Sequence, residues 1–149
     1  MKIVLFIFLI SLMTTCGFEN DIPLQKADYN YSDITGPTVI SIIPAPGEKD
    51  VRRDSGIIAR FSEPVNTESV SELSFILSNR DGQEKGTYLF SPDSREVTFI
   101  PSRKLSQLMQ YTVAINSRIE DLNQNPLTDQ DPNDKLQFSP FLSSFVTGE

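Results

Sequence analysis

The sequence predicts an all-β fold, a sandwich of seven short antiparallel strands, on three observations. From Thr38 onward apolar and polar residues alternate in short segments. Each segment is closed by Pro, Gly, Asn, Asp or Ser, and nothing between them sustains a 3.6-residue period for more than two turns. A period of two sends successive side chains to opposite faces, so each segment buries one face and wets the other, as antiparallel strands do.

The segments follow one another along the chain. "TVISIIP" (38–44) stops at Pro44-Ala45-Pro46-Gly47. "GIIARFS" (56–62) puts Ile57, Ala59 and Phe61 on one face, and "ELSFILS" (72–78) groups Leu73, Phe75 and Leu77 before the turn Asn79-Arg80-Asp81-Gly82. "KGTYLFS" (85–91) runs into Ser91-Pro92-Asp93-Ser94, and "EVTFIP" (96–101) aligns Val97 with Phe99. "QYTVAIN" (110–116) aligns Tyr111, Val113 and Ile115, and "FLSSFVT" (141–147) aligns Phe141 with Phe145. Only "NTESVSEL" (66–73), capped by Asn66 or Thr67, and "SRKLSQLM" (102–109) offer a turn or two of helix.

Composition narrows the chemistry. A chain of 149 residues, 38% hydrophobic, holds one domain and a short appendage. Thirteen basic against twenty acidic side chains give a net charge of −7, which repels phosphate backbones and argues against nucleic acid as a partner. With no His and a single Cys, the chain lacks imidazole bases, Cys-Cys zinc sites and internal disulfides. A Ser-Lys pair would need Ser three residues before Lys. Pro23, Pro46, Gly82, Pro101 and Pro132 stand there for Lys26, Lys49, Lys85, Lys104 and Lys135. Glu120 with Asp121, or Asp129 with Asp131, form carboxylate pairs of the kind that flank a glycosidic bond, but the chain has no Trp platform for a sugar. No catalytic residue and no cofactor is assigned, and the expectation is a non-enzyme.

The first twenty residues, "MKIVLFIFLISLMTTCGFEN", set Lys2 ahead of an apolar run from Ile3 to Met13, too short to span a bilayer. This pattern reads as an export signal over residues 1–15. Cys16, directly after it, resembles the lipidated cysteine of a bacterial lipobox, with Met13 and Thr15 in place of the usual Leu and small residue. That resemblance implies lipidation of Cys16 and attachment to a membrane through a stable multi-chain anchor. Gly17 rather than Asp follows the cysteine, which points to the outer membrane. Residues 16–36 then read as a tether, since they keep neither strand nor helix period, and the folded domain is expected over 37–149.

"GPTVISIIPAPGEKDV", "GIIARFSEPVN", "REVTFIPSRKLSQLMQYTVAI", "IEDLNQNPL" and "SSFVT" occur in the order of bacterial Ig-like domains of the S-layer (SbsA) type, which this chain resembles from Pro37 to Thr147. The resemblance implies an Ig-like sandwich with Greek-key connections. Two departures stand out: Gln107-Leu108 replaces a usual Pro-Gly, and Gln124 replaces a usual Gly. Leu105 and Tyr111 keep the spacing of a tyrosine corner, in which the phenol bonds back to the preceding arch. Such a domain is expected to bind or adhere to an envelope or extracellular protein or glycan. The alternatives are a structural spacer or assembly subunit of an envelope complex, or a carbohydrate-active enzyme.

"RIEDLNQNPLTDQDPNDK" (118–135) is the acidic stretch to explain. Read from Asp121, the EF-hand pattern fails at Pro126 and Pro132; read from Asp129, it fails at Asp134 and Pro140. An Asx-rich connection stiffened by Pro126 and Pro132 is the structural reading. A looser calcium site on Asp121, Asp129, Asp131 and Asp134 is the ionic one, because hard oxygen ligands are dense there. Glu63, before Pro64 in "FSEPV", is read as a strand end.

Overall fold

A computed structural model describes residues 33–128 and 139–149. Cys16 and the expected export signal lie outside the described residues, as do Asp129, Asp131 and Asp134. Among the described residues eight strands form: β1 (Val39–Ile43), β2 (Ile57–Phe61), β3 (Phe75–Asn79), β4 (Gly82–Gln83), β5 (Gly86–Phe90), β6 (Glu96–Pro101), β7 (Gln110–Ile115) and β8 (Phe141–Val146). They build two antiparallel sheets, ordered β1-β2-β6-β5 and β4-β3-β7-β8. The chain changes sheet after β2, β4 and β6, which gives the Greek-key path of an Ig-like sandwich. The seven expected segments are all present. The eighth strand, β4, exists because Arg80-Asp81 makes a two-residue turn in which Asn79 Oδ1 accepts from the amides of Asp81 and Gly82 at 2.8 and 3.1 Å.

The inner faces carry the alternation expected of them. Ile57, Ala59, Phe61, Phe75, Leu77, Val97, Phe99, Tyr111, Val113, Ile115 and Phe145 are all at most 1% exposed. Phe75, Tyr88 and Phe99 form one aromatic cluster, and Tyr111 stacks on Phe145 with centroids 5.7 Å apart. Tyr88 also donates its hydroxyl to the Phe75 carbonyl at 2.7 Å, joining the two sheets, and burial pushes this phenol up to about 12.

Three local expectations are corrected. Leu73 does not share the face of Phe75 and Leu77: it is 60% exposed, and β3 begins only at Phe75. Ser74 explains this, because its Oγ accepts from Ser71 N and donates to Ser69 O, holding 69–74 in turns. The first helical candidate shrinks to a 3-10 turn, Thr67–Ser69, with Asn66 Oδ1 accepting from Glu68 N. The second, 102–109, forms no helix. Its amides bond distant partners instead: Leu105 N donates to Arg53 O, Leu108 N to Gly148 O and Met109 N to Thr147 Oγ1.

Tyr111 makes the expected corner: Ser106 N donates to its hydroxyl at 2.8 Å. Both departures from the family pattern fall on left-handed backbone, with φ of 49° at Leu108 and 68° at Gln124. Glycine adopts that conformation freely, whereas an L side chain is strained there.

Candidate functional site

The chain enters the domain at the end of the sandwich where β2, β5 and β7 finish. There the two motifs around Glu63 and Asp121 meet. Val65 bridges to Asp121, and Asn66 N donates to Glu120 O at 2.8 Å, so the end of "FSEPV" is bonded to the start of "DLNQNPL". Residues 33–37 close over both. Gly36 is needed because a β-carbon there would sit 1.7 Å from the Pro126 carbonyl oxygen. Thr128 N donates to Pro37 O at 3.0 Å, and Asn125 Nδ2 donates to Asp33 O at 3.2 Å. The last part of the expected tether is therefore packed on the domain.

This convergence puts one carboxylate oxygen each of Asp33, Glu63 and Asp121 within 4.8 Å of one another. Asp121, 2% exposed, is the best satisfied: Oδ1 accepts from the amides of Asn123 and Asn125 at 2.7 and 2.8 Å, and Oδ2 accepts from Asn125 Nδ2 at 2.8 Å. Glu63 is raised above the usual carboxylate range, first by burial and then by the negative charges of Asp33 and Asp121, with Arg95 opposing. Three such groups can share a proton or offer hard oxygens to a cation. Of the four expected calcium ligands, only Asp121 lies among the described residues, and its loop's own donors already bond both oxygens. Glu63 and Asp33 were not in that expected set. Glu63 was read from the sequence as a strand end, although its place in one of the two family motifs that meet here could have singled it out, and nothing in the sequence pointed to Asp33.

At the opposite end, a groove of about 410 Å³ is lined by Ser78, Asn79, Arg80, Leu108, Met109, Gln110 and Thr112. Hydroxyls, amides and one guanidinium surround the exposed Leu108, and among the described residues no carboxylate lines it. At the same end, a smaller recess of about 250 Å³ gathers Arg52, Arg53 and Lys104 with Asp54 and Glu149. Arg53 Nε donates to Leu105 O at 2.7 Å, and Arg52 grips Asp54 through two bonds of 3.0 Å. The Asp54 carboxyl is held below the usual range chiefly by that hydrogen-bonded guanidinium. Glu84 is the buried acid at this end, 5% exposed. It is met by Arg103 Nε at 3.2 Å and by the Tyr111 hydroxyl at 3.4 Å. Among the described residues, no helix is long and apolar enough to cross a membrane.

The family model of the bacterial Ig-like domain matches residues 33–141. The chain belongs to that family. The match starts at Asp33, which agrees with the packing of residues 33–37 on the domain. Among solved structures, the Ig-like domain is similar to the first six domains of the surface layer protein SbsC, with a TM-score of 0.51 at 14% identity. That match covers 75% of this chain and 14% of that one, so the chain spans only a small part of the S-layer proteins it matches. It is also similar to PcoC, a methionine-rich copper resistance protein from Escherichia coli, with a TM-score of 0.55 at 14% identity, covering 74% of this chain and 97% of that one. An L,D-transpeptidase in complex with imipenem matches with a TM-score of 0.51 at 19% identity over 75% of this chain and 40% of that one. At such identities these likenesses show the fold alone. No curated protein sequence matches the chain.

Proposed function

We propose that this chain is a membrane-anchored envelope lipoprotein, attached through Cys16, whose Ig-like domain is a non-catalytic binding or adhesion module. The observation that carries the binding reading is the arrangement of the two ends. The chain enters at the acidic end, while the open groove of Ser78, Arg80, Gln110 and Thr112 lies at the other, directed away from the attachment. A short polar groove with a guanidinium and several amides and hydroxyls suits a protein segment or a glycan, whose polar groups it meets by hydrogen bonds. The alternative, an assembly subunit of an envelope complex, uses the same anchor and differs in the partner.

Crosslinking on intact cells, followed by identification of neighbours, tests the binding reading. An extracellular or envelope ligand whose capture falls at least fivefold in Arg80→Ala/Gln110→Ala supports it. Capture unchanged in that variant, with co-purification of a defined envelope complex, replaces it by the assembly reading. Mass spectrometry of the mature protein tests the anchor: an N-terminus other than a lipidated Cys16 removes it.

A further inference from the structure

The four sheet edges are treated very differently. β8 is covered by the segment after β1: Gly47 N donates to Ser144 O, Val146 N to Glu48 O, Val51 N to Val146 O and Gly148 N to Val51 O. β4 is two residues long, and β1 is broken by a register shift between Val39 and Ser41. Coverage, shortness and bulges are the devices by which proteins keep edge strands from pairing. β5 has none of them. It pairs with β6 without a shift from Gly86↔Pro101 to Phe90↔Val97, and "GTYLF" carries no charge and no proline.

The ladder phase shows which groups are left over. Ser102 N donates to Lys85 O and Ser91 N donates to Glu96 O, so the odd-numbered residues of β5 bond to β6. The N–H and C=O of Gly86, Tyr88 and Phe90 therefore point outward, and among the described residues no segment pairs with them. The outer face beside this edge is apolar. Ile43, Ile58, Thr98 and Leu89 form one cross-strand row, and Ile43 and Leu89 are 57% and 55% exposed.

We propose that β5 is a self-association edge: two copies of the chain pair antiparallel through β5, about a two-fold axis at Tyr88. Tyr88 then faces its equivalent and Gly86 faces Phe90 of the second copy, so every outward donor and acceptor of the three residues meets one of the opposite kind. Thr87 lies opposite Leu89 of the second copy, which extends the apolar row across both molecules. Charge selects this orientation and this occupant. Lys85 precedes the strand and Asp93 follows it. Antiparallel pairing brings each lysine near the other copy's aspartate, whereas parallel pairing would set like beside like.

The test uses the full chain in detergent micelles. In Thr87→Cys/Leu89→Cys the two positions are opposite across the axis, and the expected result is a disulfide-linked dimer formed at least tenfold faster than in Ile40→Cys/Ile43→Cys on β1. The unmodified chain, with Cys16 alone, is the baseline. Leu89→Lys, on the solvent face, is expected to weaken dimerisation at least tenfold by sedimentation while leaving the melting temperature within about a degree, and Lys85→Glu to weaken it less. Equal crosslinking rates on β5 and β1, or dimerisation untouched by Leu89→Lys, overturn the proposal. So does crosslinking of the β5 cysteines in cells to a different protein instead of a second copy.

Discussion

The sandwich buries a carboxylate at each end, and the two are handled in opposite ways. Glu84, whose amide bonds to β3, is countered across the sandwich by the Arg103 guanidinium that follows β6 of the other sheet, and by the hydroxyl of Tyr111 on β7. Asp121 is countered from inside, by two amides and one side-chain amide within four residues, and its other neighbours are the acids Glu63 and Asp33. A carboxylate that joins two sheets holds tertiary structure together. One that caps its own loop holds a local shape, and here it does so against like charges.

The sharpest way to break this comparison is to remove the cap. Asp121→Ala orphans three donors around a buried site, and hydrogen bonds to an ionised acceptor are strong, so a loss of about 3 kcal/mol is expected in chemical denaturation. If repulsion among the three acids outweighed the cap, the variant would instead be more stable. At the far end, Tyr111→Phe keeps the ring stacked on Phe145 but takes a partner from Ser106 N and from Glu84. About 2 kcal/mol should be lost, with ligand capture unaffected. An unchanged melting temperature would show that the phenol is replaceable by water.

The two ends share one defect, and it yields an effect of the opposite sign. Leu108 at the far end and Gln124 at the acidic end hold left-handed backbone with exposed side chains. Leu108→Gly and Gln124→Gly should each relieve strain of roughly 1 kcal/mol, partly offset by the unfolded-state entropy of glycine, for a net gain of about 0.5 kcal/mol. Thermal melting of the two variants and their combination checks this, and sites at opposite ends should add.

The strands were legible because the core is built from alternation, and Ile57, Ala59, Phe61, Tyr111, Val113 and Ile115 point inward as a period of two requires. The tyrosine corner was legible from spacing because the arch between Leu105 and Tyr111 has a fixed reach. What failed was decided by bonds that periodicity does not encode. Leu73 keeps phase with Phe75, but the Ser74 hydroxyl turns the chain before the strand starts. The amides of 102–109 are claimed by Arg53, Gly148 and Thr147 before a helix can use them. The acidic site was half legible. Asp121 lies in a stretch dense in acids, whereas Asp33 and Glu63 reach it only through packing of segments far apart in sequence. Edge exposure of β5 cannot be read from its residues at all, since it depends on which strand the fold leaves without a neighbour.

An effect as small as that of the glycine variants separates the ends by pH. Glu63 is raised by burial and by Asp33 and Asp121, so the folded state holds its proton more tightly than the unfolded chain does. Its contribution is therefore fully present below the ordinary glutamate range and is lost as pH rises through the folded value, which leaves a penalty at neutral pH. Glu63→Gln should remove that penalty, stabilising the domain by about 0.5 kcal/mol at pH 7 after solvent screening and by nothing near pH 3. The gain should shrink in high salt as the charges of Asp33 and Asp121 are screened. Melting curves of the variant and the unmodified chain across that pH interval decide it: a constant difference assigns the effect to packing, a difference that opens with rising pH assigns it to ionisation of Glu63, and the part of that difference that salt removes belongs to Asp33 and Asp121. Arg103 and Tyr111 surround Glu84 with donors at the far end, so a Glu84→Gln variant run alongside should be destabilised at pH 7, opposite in sign to Glu63→Gln. Two glutamate-to-glutamine changes with opposite outcomes would show that neighbours rather than burial set the sign.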